Sequence, residues 1–176
     1  MNRKVIVFIA MSIDGFIAAE NDNLDFLQLV EQEGEDYGYN EFHNSIDTVI
    51  MGRKTYDKIV SFDVPFPHSN KECYILTNNK ELQSPSVQYY SNKVEALIAQ
   101  LKSKAGKNIF VDGGAQIVQL LLQKQLIDEF IISIIPTIVG SSTTLFKKGI
   151  TPQHYQLVSA KSFSKGLVQL HYTKNK

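Results

Sequence analysis

The run Val5-Ile6-Val7-Phe8-Ile9-Ala10 constrains this chain more than any other feature, because six consecutive apolar residues present no polar face to water. Such a run reads as a central strand covered on both faces, and the cover has to come from layers of helices. Similar short runs recur at residues 48–51, 74–77, 108–111 and 129–135. Between them the pattern predicts helices over 24–32, 36–44, 54–60, 94–102 and 115–123. In the fourth, Val94, Leu97, Ile98 and Leu101 form one stripe, with Ser91 or Asn92 placed to cap it. This alternation is that of an α/β domain with a mostly parallel sheet. Near the end, residues 154–163 and 167–172 flank Ser164-Lys165-Gly166, which predicts an antiparallel hairpin closing the sheet. Neither a repeat nor a Pro/Gly/Ser-rich linker interrupts the 176 residues, so one domain over 1–176 is expected.

Charge and apolar content exclude several classes. Lysine and arginine number 18 against 18 aspartates and glutamates, without the basic excess of a nucleic-acid binder. The longest apolar candidate, residues 130–139, is broken by Ser133, Pro136 and Thr137 and is far short of the roughly 20 residues of a membrane span. Asp14 closely follows the first apolar run and no cleavage pattern appears, so a cytoplasmic protein is expected. The single Cys73 sits in an apolar stretch and reads as a buried, inert thiol. His43, His68, His154 and His171 show no metal spacing, and no metal is expected. The charges are unevenly spread: residues 20–63 hold eleven acids against three bases, and residues 64–176 hold thirteen lysines against six acids. That asymmetry suits a small anionic ligand, or simply reflects how exposed faces are filled. Only Arg3 and Arg53 are arginines.

Four segments stand where an expected strand gives way to a loop or helix, the edge at which open α/β sheets bind ligands. Ser12-Ile13-Asp14-Gly15 follows the first strand and contains a turn signal. Met51-Gly52-Arg53-Lys54-Thr55 joins a strand to a helix, and its glycine, helix start and charged donors make an anion-binding site; the plain alternative is a tight turn beside a solvated arginine. Asp112-Gly113-Gly114-Ala115-Gln116 opens another helix with a glycine pair suited to a diphosphate, although it is not the dinucleotide fingerprint. Residues 135–142 end the last long run, where Pro136 suggests a bulge or edge position and Gly140 a bend.

In this order and spacing, these segments resemble the dihydrofolate reductase-like superfamily, and more closely the RibD C-terminal-like branch that holds the reductase domain of riboflavin-biosynthesis proteins. The resemblance covers essentially the whole chain. It implies a three-layer α/β/α fold, an NADPH-dependent reductase acting on a small molecule, and commonly a homodimer. By the same resemblance Gly52, Arg53, Lys54 and Thr55 bind the cofactor's phosphates, with Arg53 on the 2′-phosphate; Thr77 and Asn78, assisted by Lys80, meet the adenosine end. Gly113, Gly114, Ala115 and Gln116 line the pyrophosphate, although Ala115 stands where dihydrofolate reductases often carry a base. Ser12 belongs to a mobile loop that closes over the nicotinamide. Asp36, fifteen residues before Met51, has the family's spacing for the acid on the preceding helix. Asp14 is its rival as proton donor. Tyr39, Pro136 and Gly140 are the substrate-side candidates, with Phe42 a further apolar partner. A solvated helix start is the other reading of Asp36, which ends the acidic run 31–36. The chain has no tryptophan, in contrast to true dihydrofolate reductases. The implied substrate is a phosphoribosylamino pyrimidine, then dihydrofolate or another small carbonyl or nitro compound; a nucleotide-binding module without turnover is the rival from another class.

Overall fold

Side chains along a strand alternate between faces, so the first apolar run has to be covered twice. In the computed structural model, which describes residues 3–62, 64–79, 84 and 86–175, β1 (Val5–Ser12) does lie inside the sheet. Val5 and Val7 enter one core with Ile109, Val111 and the apolar faces of α3 (Val94–Ser103) and α4 (Ala115–Gln123). Ile6 and the partly buried Phe8 enter the other, with Phe42 of α1 (Tyr39–Asn44) and with Tyr56 and Ile59 of α2 (Arg53–Val60). Two helical layers thus sandwich the sheet.

The remaining strands of that sheet are β3 (Ile46–Gly52), β4 (Glu72–Leu76), β5 (Gln88–Tyr90), β6 (Asn108–Val111), β7 (Glu129–Ile135), β9 (Tyr155–Ser162) and β10 (Val168–Lys174). Their order is β5-β4-β3-β6-β1-β7-β10-β9. All neighbours from β5 to β7 run parallel, in register Val5↔Ile109 between β1 and β6 and Ile6↔Glu129 between β1 and β7. The hairpin β9–β10 adds antiparallel to β7, as expected. A small antiparallel pair, β2 (Phe16–Ala18) with β8 (Thr143–Thr144), joins the loops beyond β1 and β7.

Several expectations are corrected locally. Residues 24–32 form a 3-10 segment, Asp25–Val30, because Phe26, Leu27 and Val30 turn tightly onto Ile135 and Leu167 instead of presenting a long stripe. The helix expected from residue 36 begins at Tyr39, since Gly38 takes a φ of +80°. Ser91 and Asn92 do not cap α3, whose N-cap is Lys93. Pro136 is neither bulge nor edge: β7 is internal and ends at Ile135, so the proline, which lacks an N–H, stands just past the ladder.

Arg3 closes the amino edge of the sheet. Its buried guanidinium donates to the carbonyls of Lys107 (2.7 Å) and Leu101 (3.2 Å), to Thr48 Oγ1 (2.6 Å) and to the Asp47 carboxylate. Cys73 is buried as expected, and desolvation pushes its thiol up to about 11.

Candidate functional site

Because six strands run parallel, the loops after β1, β3, β4, β6 and β7 all emerge at the same edge. The glycine loops interlock there. A Cβ at Gly52 would lie 3.0 Å from Ile117 Cγ1, and one at Gly114 would lie 3.0 Å from Thr55 Oγ1. Gly113 and Gly114 also take φ of +65° and +62°, which side chains rarely adopt. Gly52 and Gly114 are the N-caps of α2 and α4, and neither helix start has a side-chain cap. Two sets of first-turn amides therefore meet with no acceptor from a capping residue, beside exposed Lys54 and buried Ala115.

A cavity of about 500 Å³ opens next to them, between the end of β4 and the starts of α3 and α4. Thr77, Asn78 and Gln116 line it, together with Tyr90 and Ser91. Arg53 is not brought into it. Its Nε donates to Asp57 Oδ1 at 2.6 Å, and the guanidinium lies 5.7 Å above the ring of Tyr89. Tyr89 and Tyr90 are consecutive on β5 and face opposite sides of the sheet, so Arg53 stands across the strand from the cavity. Lys80 lies outside the described residues.

The loop after β1 is clasped rather than free. Buried Ser12 accepts the Phe16 amide at 2.9 Å and donates to Asp14. The Asp14 carboxylate also accepts the amides of Val139 (3.1 Å) and Gly140 (2.7 Å), while Ile13 N–H reaches Thr137 O at 2.9 Å. The Ser12 hydroxyl, then these amides, hold the Asp14 carboxyl below its ordinary range. Gly140 thus serves the clasp, through its amide and a φ of +83°.

Asp36 is exposed and accepts the amides of Asn40 (3.0 Å) and Gly38 (2.8 Å), which lower its pKa. It lies just ahead of α1 as a solvated acid, and it also lines a second cavity of about 460 Å³. The floor of that cavity is Phe8 and Ala10 of β1, Ser133 and Ile135 of β7, and Leu167. Tyr39 stands behind it, edge-on to Phe8 at 5.6 Å, and burial raises its hydroxyl to about 12. Phe42 is stacked on Phe8 at 4.8 Å within the core, and Pro136 is exposed outside the cavity.

Sequence reasoning missed this floor, since Phe8 and Ala10 look like ordinary core; the one usable signal was Ser133, a hydroxyl inside an apolar run. It also missed a pair, buried His68 with its Nε2 at 2.7 Å from Oδ2 of the partly exposed Asp112, and His43 stacked on His68 at 5.6 Å between ring centres. Asp112 immediately precedes the glycine pair, which was its only mark.

Residues 69–169 match the RibD C-terminal domain family. The chain is 38% identical to the uncharacterized protein YwjB of Bacillus subtilis over 99% of both chains. It is 31% identical, with a TM-score of 0.89 and full coverage of both chains, to a protein of Shewanella sp. PV-4 provisionally named for riboflavin biosynthesis. Two more distant structures share the fold. One is the Thermotoga maritima diaminohydroxyphosphoribosylaminopyrimidine deaminase/5-amino-6-(5-phosphoribosylamino)uracil reductase (16% identity, TM-score 0.73, 99% of this chain and 57% of that one). The other is the Enterococcus faecalis dihydrofolate reductase complexed with NADP(H) (18% identity, TM-score 0.72, all of both chains).

Proposed function

The chain belongs to the RibD C-terminal domain family, and on that premise we propose that it is an NADPH-dependent reductase. Its substrate in this reading is a planar pyrimidine- or pteridine-type ring, or a ribosylamino group on one, reduced at a C=N or C=O carbon. The observation that carries the reading is the pair of interlocked, uncapped helix starts at Gly52 and Gly114, set at the sheet edge that also bears both cavities.

The amides that follow Gly52 and Gly114, those of Ala115 and Gln116 among them, with Gly113, Lys54 and Thr55, would hold the pyrophosphate, and Thr77 and Asn78 the adenosine end. Arg53 would reach a 2′-phosphate by leaving Asp57. NADPH supplies the hydride when bound; the protein contributes orientation and the exclusion of water. Ser12 and Asp14 fix the loop at the end of β1, and the second cavity takes the ring. Asp14 and Asp36 are stabilised as carboxylates; Asp14 would hold the loop and Asp36, on the cavity rim, would accept and orient N–H groups, with the proton coming from water at the cavity mouth. The phosphoribosylamino uracil in the Thermotoga protein's name and dihydrofolate are the two substrates to compare. The reading includes a homodimer, for which the outer strand β9 leaves Leu157 and Val158 exposed.

The test is a fluorescence titration with NADPH and NADH, followed by NADPH oxidation in the presence of each substrate. NADPH-selective binding with turnover of one ring supports the reading. Binding without turnover of any ring points to a nucleotide-binding module instead, and no binding of either nucleotide overturns the cofactor assignment.

A further inference from the structure

The second cavity is specific about charge. Its floor is apolar apart from Ser133, its rim carries Glu31, Glu35 and Asp36, and among the described residues no lysine or arginine lines it. Lys165 stands beside the rim and donates its Nζ to the carbonyl of Glu31, and its single positive charge is outnumbered there by three carboxylates. A phosphate monoester carries about −1.5 to −2 charges at neutral pH and needs a guanidinium, an ammonium or free helix amides to hold it. The amides at the nearby start of α1 are not free, because Gly38 and Asn40 donate to the Asp36 carboxylate.

What the cavity offers a ligand is different. The rim carboxylates accept N–H donors. Ser133, only 4% exposed, lines the floor; its Oγ accepts from Gln169 Nε2 at 3.1 Å, and among the described residues its own O–H has no acceptor. It is thus positioned to donate to a ring nitrogen or carbonyl.

We infer that this cavity selects a neutral or cationic, nitrogen-rich planar ring that carries no phosphate, and so rejects the phosphorylated form of a ribosylamino pyrimidine. The inference rests on the reading of this cavity as the substrate site. It narrows the substrate class to nucleoside-like or free heterocycles. A reaction that removes a phosphate, or one that never attaches it, must then supply the substrate.

The experiment uses the full chain and a matched pair, 5-amino-6-ribosylaminouracil and its 5′-phosphate, titrated calorimetrically without nucleotide. At low salt the phosphate-free compound is expected to bind about tenfold tighter or more. The gap should narrow at high ionic strength, since the repulsion is screened, and narrow again in Glu31→Lys. Equal or tighter binding of the 5′-phosphate overturns the inference, as does failure of both compounds to bind. A separate NADPH titration keeps the two readings apart: discrimination without NADPH binding removes the reductase and leaves the cavity's selectivity, and NADPH binding without discrimination does the reverse.

Discussion

The two edges of the sheet are built on opposite terms. At the amino edge charges are consumed: Arg3 spends its donors on Asp47, Thr48 and two carbonyls, Lys4 pairs with Glu129, and Lys102 with Asp128 (2.6 Å). Space is consumed there too, since a Cβ at Gly106 would fall 2.6 Å from Asp47 Oδ2. At the carboxyl edge two helix starts lack side-chain caps, two cavities stay open, and the second arginine is held by one aspartate and one ring. Arg3 and Arg53 are the same residue type with opposite tasks. The difference teaches where to look for chemistry: at the edge where donors are left without partners, and not where ion pairs are densest.

Arg3→Ala should break the closed edge most severely. It strands Asp47 and two carbonyls, and a loss of about 3 kcal/mol or more is expected in urea unfolding. Nucleotide affinity of the folded fraction should be unchanged; Arg3→Lys should restore little, because an ammonium lacks the guanidinium's fork. Gly114→Ala acts on the open edge. The forced φ of +62° and the Thr55 hydroxyl should cost about 1–3 kcal/mol, and NADPH and NADH should weaken together by calorimetry. Arg53→Ala should leave the unfolding curve nearly unmoved and weaken NADPH by roughly tenfold relative to NADH. Equal weakening of both nucleotides would remove it from the 2′-phosphate and assign it to packing on Tyr89.

The core strands were legible because each is a continuous apolar run, and β1 announced both layers of cover by itself. The shortest strands were not: β2, β5 and β8 have three, three and two residues, too few to show a period. At the site, glycines could be read because their backbone demand is written in residue type. The second cavity could not, because Phe8 and Ala10 line it with the residue types of a core, and Glu31, Glu35 and Asp36 resemble any solvated run. Orientation was the missing information. Arg53 was found by its scarcity, yet nothing in the sequence placed it across β5 from the cavity that holds Thr77 and Asn78.

The reciprocal contacts of Gly52 with Ile117 and of Gly114 with Thr55 bear on how such a protein can be varied. Each loop supplies the glycine that makes room for a side chain of the other, across 65 residues of sequence in one case and 59 in the other. A library randomising either loop alone would therefore recover mostly the parent, whereas one randomising both should yield matched solutions, such as a larger residue at 52 with a smaller one at 117. Natural descendants face the same restriction, and their two loops should change in step.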